Sequence, residues 1–502
     1  MKLLGKILKK KPYLIGIGIG IVLLALCIIR FVSVNADSGN SDQITLHARS
    51  DVHNQVATIK VSASSKAGIH KLLYKKGKIT TTSKSKWSGA HDILETKKFT
   101  TSKSGNYSIL AEDADGEQKI RCISVEMEMK AVWIFFDEMN KKAKSYTTWK
   151  AYIDNTFNVC KKKKFNTVIF QVRPFADAMY ESSYYPWSAY ATGTAGKNPG
   201  FDPFAYAVKA AHQRGLSIQA WVNPYRISKT TKLSSLASNS IALKWAKSSD
   251  TKLRRNVLKV GGALYFNPAS EQVRTLVANG VKEIVKKYDV DGIHMDDYFY
   301  PSLGTKKFKS FDYKEYKAYK KTCVEKSQIP KTLVQWRREN VDKMVKKVYA
   351  IVKKEDKNCL FGISPAGNLK NLYSSTSYYS DVKKWMGSTE YIDYICPQIY
   401  WSFKHPVAAY KKMVKEWLAI KRSSQVNLYL GLAGYRAGIS KKEAKSVGDK
   451  EWASSSTVLK RQVEYGRQTK KIDGYFLFSY HSLTSKKAKK EISNLAKVLP
   501  KR

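Results

Sequence analysis

Three aspartates stand close after apolar runs of the sequence, where their carboxyl groups could act together. Asp296 and Asp297 follow the run from Gly292 to Met295, and Asp177 follows the run from Thr167 to Val172. Two carboxyl groups can hydrolyse a glycosidic bond, one protonating the leaving oxygen while the other stabilises or attacks the anomeric carbon. Helix capping or a structural ion pair is the alternative role for Asp296 and Asp297.

Aromatic residues lie near the same positions as these acids. Side chains alternate along a β-strand, so His294, Asp296 and Tyr298 share one face of their strand. The flat apolar faces of sugars stack well on aromatic rings, and the common position of the rings favours a sugar cleft over separate core roles. These aromatic residues are Trp133, Trp187, Trp221, Tyr298, Tyr300, Tyr400, Trp401 and Tyr435.

The runs that carry these residues alternate with helical stretches from residue 131 onward. Near-continuous apolar strands between helices indicate a parallel sheet covered on both faces. Eight such units predict an α/β fold, a closed (β/α)8 TIM barrel with its site at the carboxyl ends of the strands. An open doubly wound sheet is the alternative. The eight predicted strands are Ala131 to Phe136, Thr167 to Val172, Ser217 to Val222, Gly292 to Met295, Leu360 to Ser364, Tyr394 to Tyr400, Leu428 to Ala433 and Gly474 to Ser479.

The residues before the barrel predict two further units. From Gln43 to about Val125, short alternating runs broken by polar turns predict a small all-β sandwich. Its segment from Gly105 to Gly116 resembles the last hairpin of bacterial Ig-like modules. We therefore expect a signal segment at residues 1–36, an Ig-like β-sandwich at 37–127 and the (β/α)8 domain at 128–502.

The N-terminal segment has the pattern of an export signal. Lys2, Lys6 and the run Lys9 to Lys11 precede an apolar stretch from Tyr13 to Ile29. Its length leaves a transmembrane anchor and a cleavable signal peptide both open. The preceding positive charge places everything after residue 36 outside the cytoplasm. The expected location is the cell membrane with extracellular domains, or the cell wall after secretion.

Composition narrows the expected partners. Lys and Arg number 89 against 41 Asp and Glu, and the excess is spread along the chain. A strongly positive net charge favours polyanionic partners. Because the export signal places the domains outside the cytoplasm, anionic wall polymers and the membrane are expected as partners, and nucleic acid is not. No nucleic-acid recognition motif is present. The cysteines lack metal-type spacing, so no metal or other cofactor is expected.

A series of motifs runs through residues 130 to 485. They include Gln171-Val172-Arg173-Pro174, Asn223-Pro224-Tyr225-Arg226, Asp291-Gly292-Ile293-His294, Asp296-Asp297-Tyr298 and Pro397-Gln398-Ile399-Tyr400-Trp401. Together they resemble the glycosyl-hydrolase-like family 10 proteins. The resemblance implies a (β/α)8 glycosidase of the bacterial envelope that acts on a polysaccharide, with the glycan strands of peptidoglycan as its substrate class.

Roles for individual residues follow from resemblance. Strands with an acid four residues after an Asp-Gly pair recur in barrel glycosidases, which makes Asp296 the candidate essential carboxylate and Asp297 or Asp177 its partner. Arg173, Asn223 and Arg226 are expected to hold substrate hydroxyls or the lactyl carboxylate of muramic acid, because a guanidinium pairs well with a planar anion. The predicted substrate-binding residues are Arg173, Trp187, Trp221, Asn223, Arg226, His294, Tyr298, Gln398, Tyr400, Trp401 and Arg436.

Two functional hypotheses result. The first is a glycoside hydrolase that cleaves a cell-wall polysaccharide, above all peptidoglycan glycan strands, by carboxylate acid–base chemistry. The second is a non-catalytic cell-wall-binding or scaffolding protein on a degenerate barrel, since a fold alone does not establish function. Binding to purified sacculi without release of reducing ends would favour the second hypothesis.

Overall fold

The computed structural model describes residues 43–53, 56–297, 299–304, 308–376 and 378–500. The predicted signal segment at residues 1–36 lies outside these ranges, and its role as an anchor stays a prediction. Within the described ranges, no helix combines the length and the apolar character needed to cross a membrane.

Two antiparallel sheets form the N-terminal domain. In the second strand, Ala57, Ile59 and Val61 are buried while their neighbours are more exposed, because successive side chains point to opposite faces of a sheet. The buried residues of both sheets meet in one hydrophobic cluster. The likeness to Ig-like modules stays a prediction. The strands are β1 (Thr45–His53), β2 (Val56–Ser64), β3 (Ile69–Lys76), β4 (His91–Asp92), β5 (Lys98–Thr101), β6 (Gly105–Asp113) and β7 (Gln118–Val125), in the orders β1-β2-β5 and β4-β3-β6-β7.

Eight parallel strands close into the predicted barrel, in the order β10-β14-β15-β16-β17-β18-β8-β9. Two strands have the predicted bounds, and five others differ by one or two residues at an end. The sixth is much shorter than predicted, because Pro397 has no N–H to donate to the sheet. The barrel strands are β8 (Met129–Ile134), β9 (Thr167–Arg173), β10 (Ser217–Val222), β14 (Gly292–Met295), β15 (Leu360–Ile363), β16 (Tyr394–Ile395), β17 (Asn427–Ala433) and β18 (Gly474–Phe478).

Apart from Lys84–Trp87 in the N-terminal domain, the helices belong to the barrel domain, and the longer ones pack an apolar face against it. In the helix Glu271–Lys287, Val273, Val277 and Val281 recur every four residues and are buried, and the Ser270 side chain accepts a hydrogen bond from the Val273 amide at the start. The helices are α1 (Lys84–Trp87), α2 (Tyr146–Lys162), α3 (Ala189–Thr192), α4 (Pro203–Gln213), α5 (Ile241–Lys247), α6 (Thr251–Arg254), α7 (Glu271–Lys287), α8 (Tyr313–Glu325), α9 (Leu333–Glu355), α10 (Leu369–Leu372), α11 (Val382–Met386), α12 (Tyr410–Leu418), α13 (Lys441–Ser446), α14 (Glu451–Ser454), α15 (Val458–Gln468), α16 (Tyr480–Thr484) and α17 (Lys489–Val498), with 3-10 turns at Lys142–Lys144, Leu233–Ser235 and Gly434–Arg436.

A small antiparallel sheet interrupts the barrel after β10, and the sequence pattern did not predict it. Its strands are β11 (Arg226–Ser228), β12 (Val257–Val260) and β13 (Ala263–Phe266), in the order β11-β13-β12. Gly261 and Gly262 both have positive φ, as a tight two-residue hairpin turn requires. The insertion brings β11 to the carboxyl ends of the barrel strands.

The N-terminal domain contacts the barrel at the amino ends of its strands. The Arg49 side chain lies 2.5 Å from a carboxylate oxygen of both Asp289 and Asp291, just before β14. The Ser217 hydroxyl, at the start of β10, donates to the Ser50 carbonyl at 3.1 Å. The domain therefore sits at the opposite end of the barrel from Asp296.

Candidate active site

A cavity of about 510 Å³ lies at the carboxyl ends of the barrel strands. Of the described residues that line it, Asp296 and Asp297 are the only acids. Both follow β14 directly, which is where the sequence placed them. The cavity is lined by Trp133, Phe135, Phe136, Gln171, Trp221, Arg226, Lys229, Asp296, Asp297, Ser364, Gln398, Tyr400, Tyr435 and Phe478.

A chain of buried hydrogen bonds holds Asp296. The backbone N–H of Phe136 donates to Gln171 Oε1 at 3.0 Å, and Gln171 Nε2 donates to Asn223 Oδ1 at 2.6 Å. Asn223 Nδ2 in turn donates to Asp296 Oδ1 at 2.7 Å. A hydrogen bond donated to a carboxylate favours its ionised form, so the chain both orients and stabilises the charge of Asp296. Asn223 therefore positions an acid, whereas the sequence predicted that it contacts substrate.

The surroundings of Asp297 disfavour the ionised form of its carboxyl group. Burial, together with the neighbouring charge of Asp296, raises the pKa of Asp297 to about 7, although a hydrogen bond from Gln398 and the charge of Arg226 oppose the shift. Adjacent carboxyl groups with such different surroundings can share one proton near neutral pH. The pair can therefore supply one charge and one acidic proton to a ligand.

Aromatic rings form the walls of the cavity. Tyr400 lies edge-on to Tyr435, with ring centroids 5.8 Å apart, and stacks with Phe478 at 6.2 Å. Trp221 is 6% exposed, and its indole N–H has no hydrogen-bond partner among the described residues. Such walls suit a pyranose ring, which offers an apolar face and hydroxyl acceptors at its edge.

Comparison with known proteins identifies the family. The family model for glycosyl hydrolase-like 10 matches residues 128–454. The chain belongs to this family. "Glycosyl hydrolase YngK" of Bacillus subtilis is 33% identical over 380 residues, which cover 71% of this chain and 69% of that relative. "Glycosyl hydrolase DigH" of Escherichia coli K12 is 31% identical over 345 residues, covering 66% of this chain and 75% of that relative.

The glycosyl hydrolase-like 10 family confirms the predicted resemblance, and the chain is a glycoside hydrolase with a (β/α)8 barrel. Among solved structures, the glycoside hydrolase domain of PgaB (BpsB) from Bordetella bronchiseptica aligns with a TM-score of 0.47 at 11% identity, over 75% of this chain and 99% of that one. This similarity is too low for matching individual site residues.

In this glycosyl hydrolase-like 10 protein, His294 lies inside the barrel and does not line the cavity. Its Nε2 accepts a hydrogen bond from the Trp133 indole N–H at 3.1 Å, and its Nδ1 lies 2.7 Å from the Tyr394 hydroxyl. That hydroxyl donates to Gln219 at 2.5 Å. Burial lowers the pKa of His294 to about 3, so the ring is neutral. His294 therefore holds the Trp133 ring in place through this hydrogen bond, and Trp133 lines the cavity.

Arg173 also lies away from the cavity, contrary to the sequence prediction. Its side chain is fully buried, and Nη2 donates to the backbone carbonyls of Asn223 and Pro224 at 3.3 and 3.2 Å. Its guanidinium carbon stands 4.0 Å from the centre of the Tyr185 ring. Arg173 therefore fixes the backbone beside Asn223.

Asp177 and Trp187 line a second cavity, of about 180 Å³, that shares Lys229 with the first. Burial raises the pKa of Asp177 to about 6. Because Asp177 does not line the cavity that holds Asp296, Asp297 is the partner that the geometry favours.

Of the remaining predicted site residues, some line the larger cavity and others do not. Trp221, Arg226, Gln398 and Tyr400 line the larger cavity as expected. Trp401 and Arg436 do not line it: the Trp401 carbonyl accepts from Gln462, and Arg436 donates to the Tyr435 hydroxyl at 3.2 Å. Tyr298 lies outside the described residues.

The sequence prediction missed several lining residues, namely Phe135, Phe136, Gln171, Lys229 and Phe478. Position after or within a predicted strand could have indicated all of them except Lys229. Lys229 comes from the inserted sheet, and its Nζ lies 4.7 Å from the centre of the Phe136 ring.

Within the described part of the chain, no group of three or more His, Cys, Asp and Glu side chains could hold a metal ion.

A larger, basic cleft at the amino ends of the strands is not a candidate active site. Its volume is about 970 Å³. Two of its acids, Glu128 and Asp473, pair with Arg467 and Arg422 at 2.5 and 2.8 Å. Acids neutralised in this way cannot readily donate a proton to a ligand.

Proposed function

We propose that the protein hydrolyses the glycan strands of peptidoglycan, with Asp297 as general acid and Asp296 as its ionised partner. One observation carries the proposal, the pairing of these two acids in an aromatic-walled cavity. Asn223 donates a hydrogen bond to Asp296, and burial with the charge of Asp296 raises the pKa of Asp297 to about 7. A general acid works best when its pKa lies near the working pH.

In the proposed reaction, the substrate supplies its own nucleophile. The oxygen of the 2-acetamido group attacks the anomeric carbon while Asp297 protonates the leaving glycosidic oxygen, so one C–O bond forms as another breaks. Asp296 accepts the acetamido N–H and stabilises the positive charge that develops on this group. Water then attacks the anomeric carbon and gives a proton to the Asp297 carboxylate, while the bond between that carbon and the acetamido oxygen breaks. The two acids of the cavity are sufficient for both steps.

The cations of the cavity support a substrate that carries carboxylates. Arg226 and Lys229 both line it, with the Arg226 guanidinium 4.8 Å from the centre of the Phe175 ring. Muramic acid without its peptide has a free lactyl carboxylate, which a guanidinium or ammonium group can bind. We therefore expect peptide-stripped strands to be better substrates than intact peptidoglycan.

The proposed place of action is outside the cytoplasm. The basic and apolar pattern of residues 1–36 supports export, with the membrane or cell wall as destination. The spread excess of 48 positive charges supports contact with anionic wall polymers. Such contact should weaken steeply as salt is added, because exposed charges are screened.

Asp296→Asn tests the proposal directly. The amide keeps the shape of the carboxyl group but cannot carry its charge, so we expect kcat to fall by about 10²- to 10³-fold. The measurement is mass spectrometry of saccharides released from peptide-stripped and intact peptidoglycan by the full-length chain in detergent. Asp115→Asn, in an exposed turn of the N-terminal domain, is the matched control. Turnover at the wild-type rate by a folded Asp296→Asn protein would refute the assignment.

A further inference from the structure

Beside the catalytic cavity lies the 180 Å³ cavity, which the proposed reaction does not use. Lys229 lines both cavities, so a chain-like ligand in the first can extend past it into the second. Pockets for whole small molecules usually have about 300–1,000 Å³. The second cavity therefore suits a substituent of a larger ligand.

Two polar side chains in this cavity have buried oxygens without a hydrogen-bond partner among the described residues. One is Asp177 Oδ1, in a carboxyl group that rests against the Ser188 hydroxyl and the Phe175 backbone. The other is the hydroxyl of Ser240, a residue only 2% exposed. Buried polar groups without partners are costly, so these two oxygens are suited to hydrogen-bond a ligand or a water molecule.

Ser240 is unusual for its position. It is the residue that precedes helix α5, where a serine hydroxyl normally accepts a hydrogen bond from the first turn. Here the side chain makes no such bond. Its hydroxyl is therefore free to donate to a ligand without weakening the helix.

The rest of the wall is mixed, with Ser228, Thr230 and Ser235 beside an apolar part. Ala176, Ile227, Leu236 and Ala237 all line the cavity. A methyl group can pack against these apolar side chains.

We propose that this cavity binds the 2-acetamido group of the sugar next to the one that reacts. Asp177 accepts the amide N–H, Ser240 donates to the carbonyl oxygen, and the methyl group packs against Ile227 and Leu236. An acetamido group has one donor, one acceptor and one methyl, and the cavity offers a complement to each. The inference rests on the proposed function, because it assumes that an N-acetylated glycan occupies the catalytic cavity.

The test is calorimetric titration of the full-length Asp296→Asn protein, whose turnover is expected to be about 10²- to 10³-fold slower than that of the wild type. The ligands are a tetrasaccharide of alternating N-acetylglucosamine and N-acetylmuramic acid, its de-N-acetylated form and its N-propionyl form. We expect the acetylated ligand to bind about tenfold or more tightly than the N-propionyl form, because one extra methylene must displace the Ile227 and Leu236 side chains against which the methyl group packs. Adding Ser240→Ala should weaken the acetylated ligand about tenfold and leave the de-N-acetylated ligand unchanged.

Ser249→Ala, in the exposed segment after helix α5, is the matched control. Equal losses for the acetylated and de-N-acetylated ligands in Ser240→Ala would overturn the inference, as would binding of neither ligand or equal binding of the N-propionyl form. The two proposals fail separately. Hydrolysis without acyl discrimination refutes only the subsite, whereas acyl discrimination without hydrolysis by the wild-type enzyme refutes only the proposed reaction.

Discussion

Asp296 and Asp297 show how two identical side chains can receive different roles. They are adjacent in sequence and line one cavity, yet only Asp296 receives the buried amide of Asn223. The charge fixed on Asp296 then disfavours a second charge on Asp297. The two groups titrate as a pair, and the second ionisation of the pair lies near neutral pH.

This arrangement predicts the pH dependence of the reaction. Because Asp297 must be protonated to act as acid, kcat should fall as pH rises through about 7. Gln398 donates to Asp297 and lowers its pKa, so Gln398→Met should raise that pKa further and move the fall in kcat to higher pH. The pH profile of kcat, measured on peptide-stripped glycan for both proteins, checks the prediction. A fall at the same pH in both proteins would mean that another group limits the reaction.

Position after a strand was enough to place Asp296 and Asp297 at the carboxyl ends of the barrel strands, and the family resemblance added Arg226. Neither could tell which residues bury a given side chain. His294 shares a strand face with Asp296, yet it lies two residues earlier and therefore one layer deeper in the barrel. Arg173 ends its strand, but the Tyr185 ring and two carbonyls bury it completely. These contacts come from residues distant in sequence, which no local pattern reveals.

The elements were more predictable than the side chains. Apolar runs such as Ser217–Val222 have the same bounds in sequence and structure, because a strand covered on both faces must be apolar throughout. The inserted strand Arg226–Ser228 was missed because it has three residues and a mixed burial pattern. A short edge element of this kind gives no periodic signal.

A buried ion pair ties helix α9 to two loops at the carboxyl ends of the strands. Arg337 and Asp312 are both fully buried and lie 2.5 Å apart. The Tyr300 hydroxyl, in the loop after β14, donates to the same carboxylate at 2.9 Å. Arg337 Nη1 donates to the Tyr379 hydroxyl, in the loop after β15, at 2.9 Å. One side chain therefore links the loop that follows Asp296 with its neighbour.

Arg337→Met should destabilise the protein by about 3–5 kcal/mol, because it leaves the charge of Asp312 buried without its partner. The free energy of unfolding by urea is the measurement. Arg255→Met, which breaks a more exposed pair with Glu315, should cost about 1 kcal/mol or less. Equal losses in the two variants would show that burial does not decide the strength of these pairs.

At the scale of the whole molecule, the N-terminal domain and the barrel share one charged junction. The Arg49 and Asp291 side chains are 8% and 1% exposed, and His212 Nε2 lies 3.0 Å from the same carboxylate. Burial alone would raise the pKa of Asp291, but the charges of Arg49 and His212 hold it well below its usual value. Asp291 immediately precedes β14, and Asp296 and Asp297 follow it, so this junction anchors the amino end of that strand.

Arg49→Ala should therefore lower the free energy of unfolding by about 3–5 kcal/mol at pH 7, since it leaves Asp291 buried and charged. A carboxylate whose pKa is lowered by folding contributes stability above its unfolded pKa of about 3.9 and loses it as pH falls below that value. The difference between wild type and Arg49→Ala should thus stay nearly constant from pH 7 to about pH 4 and shrink as the pH falls further to 3. Urea unfolding across this range measures it, with Arg121→Ala, an exposed hydrogen bond at the same junction, as control. A difference that stays constant with pH would mean that Arg49 stabilises the junction by packing and not by charge.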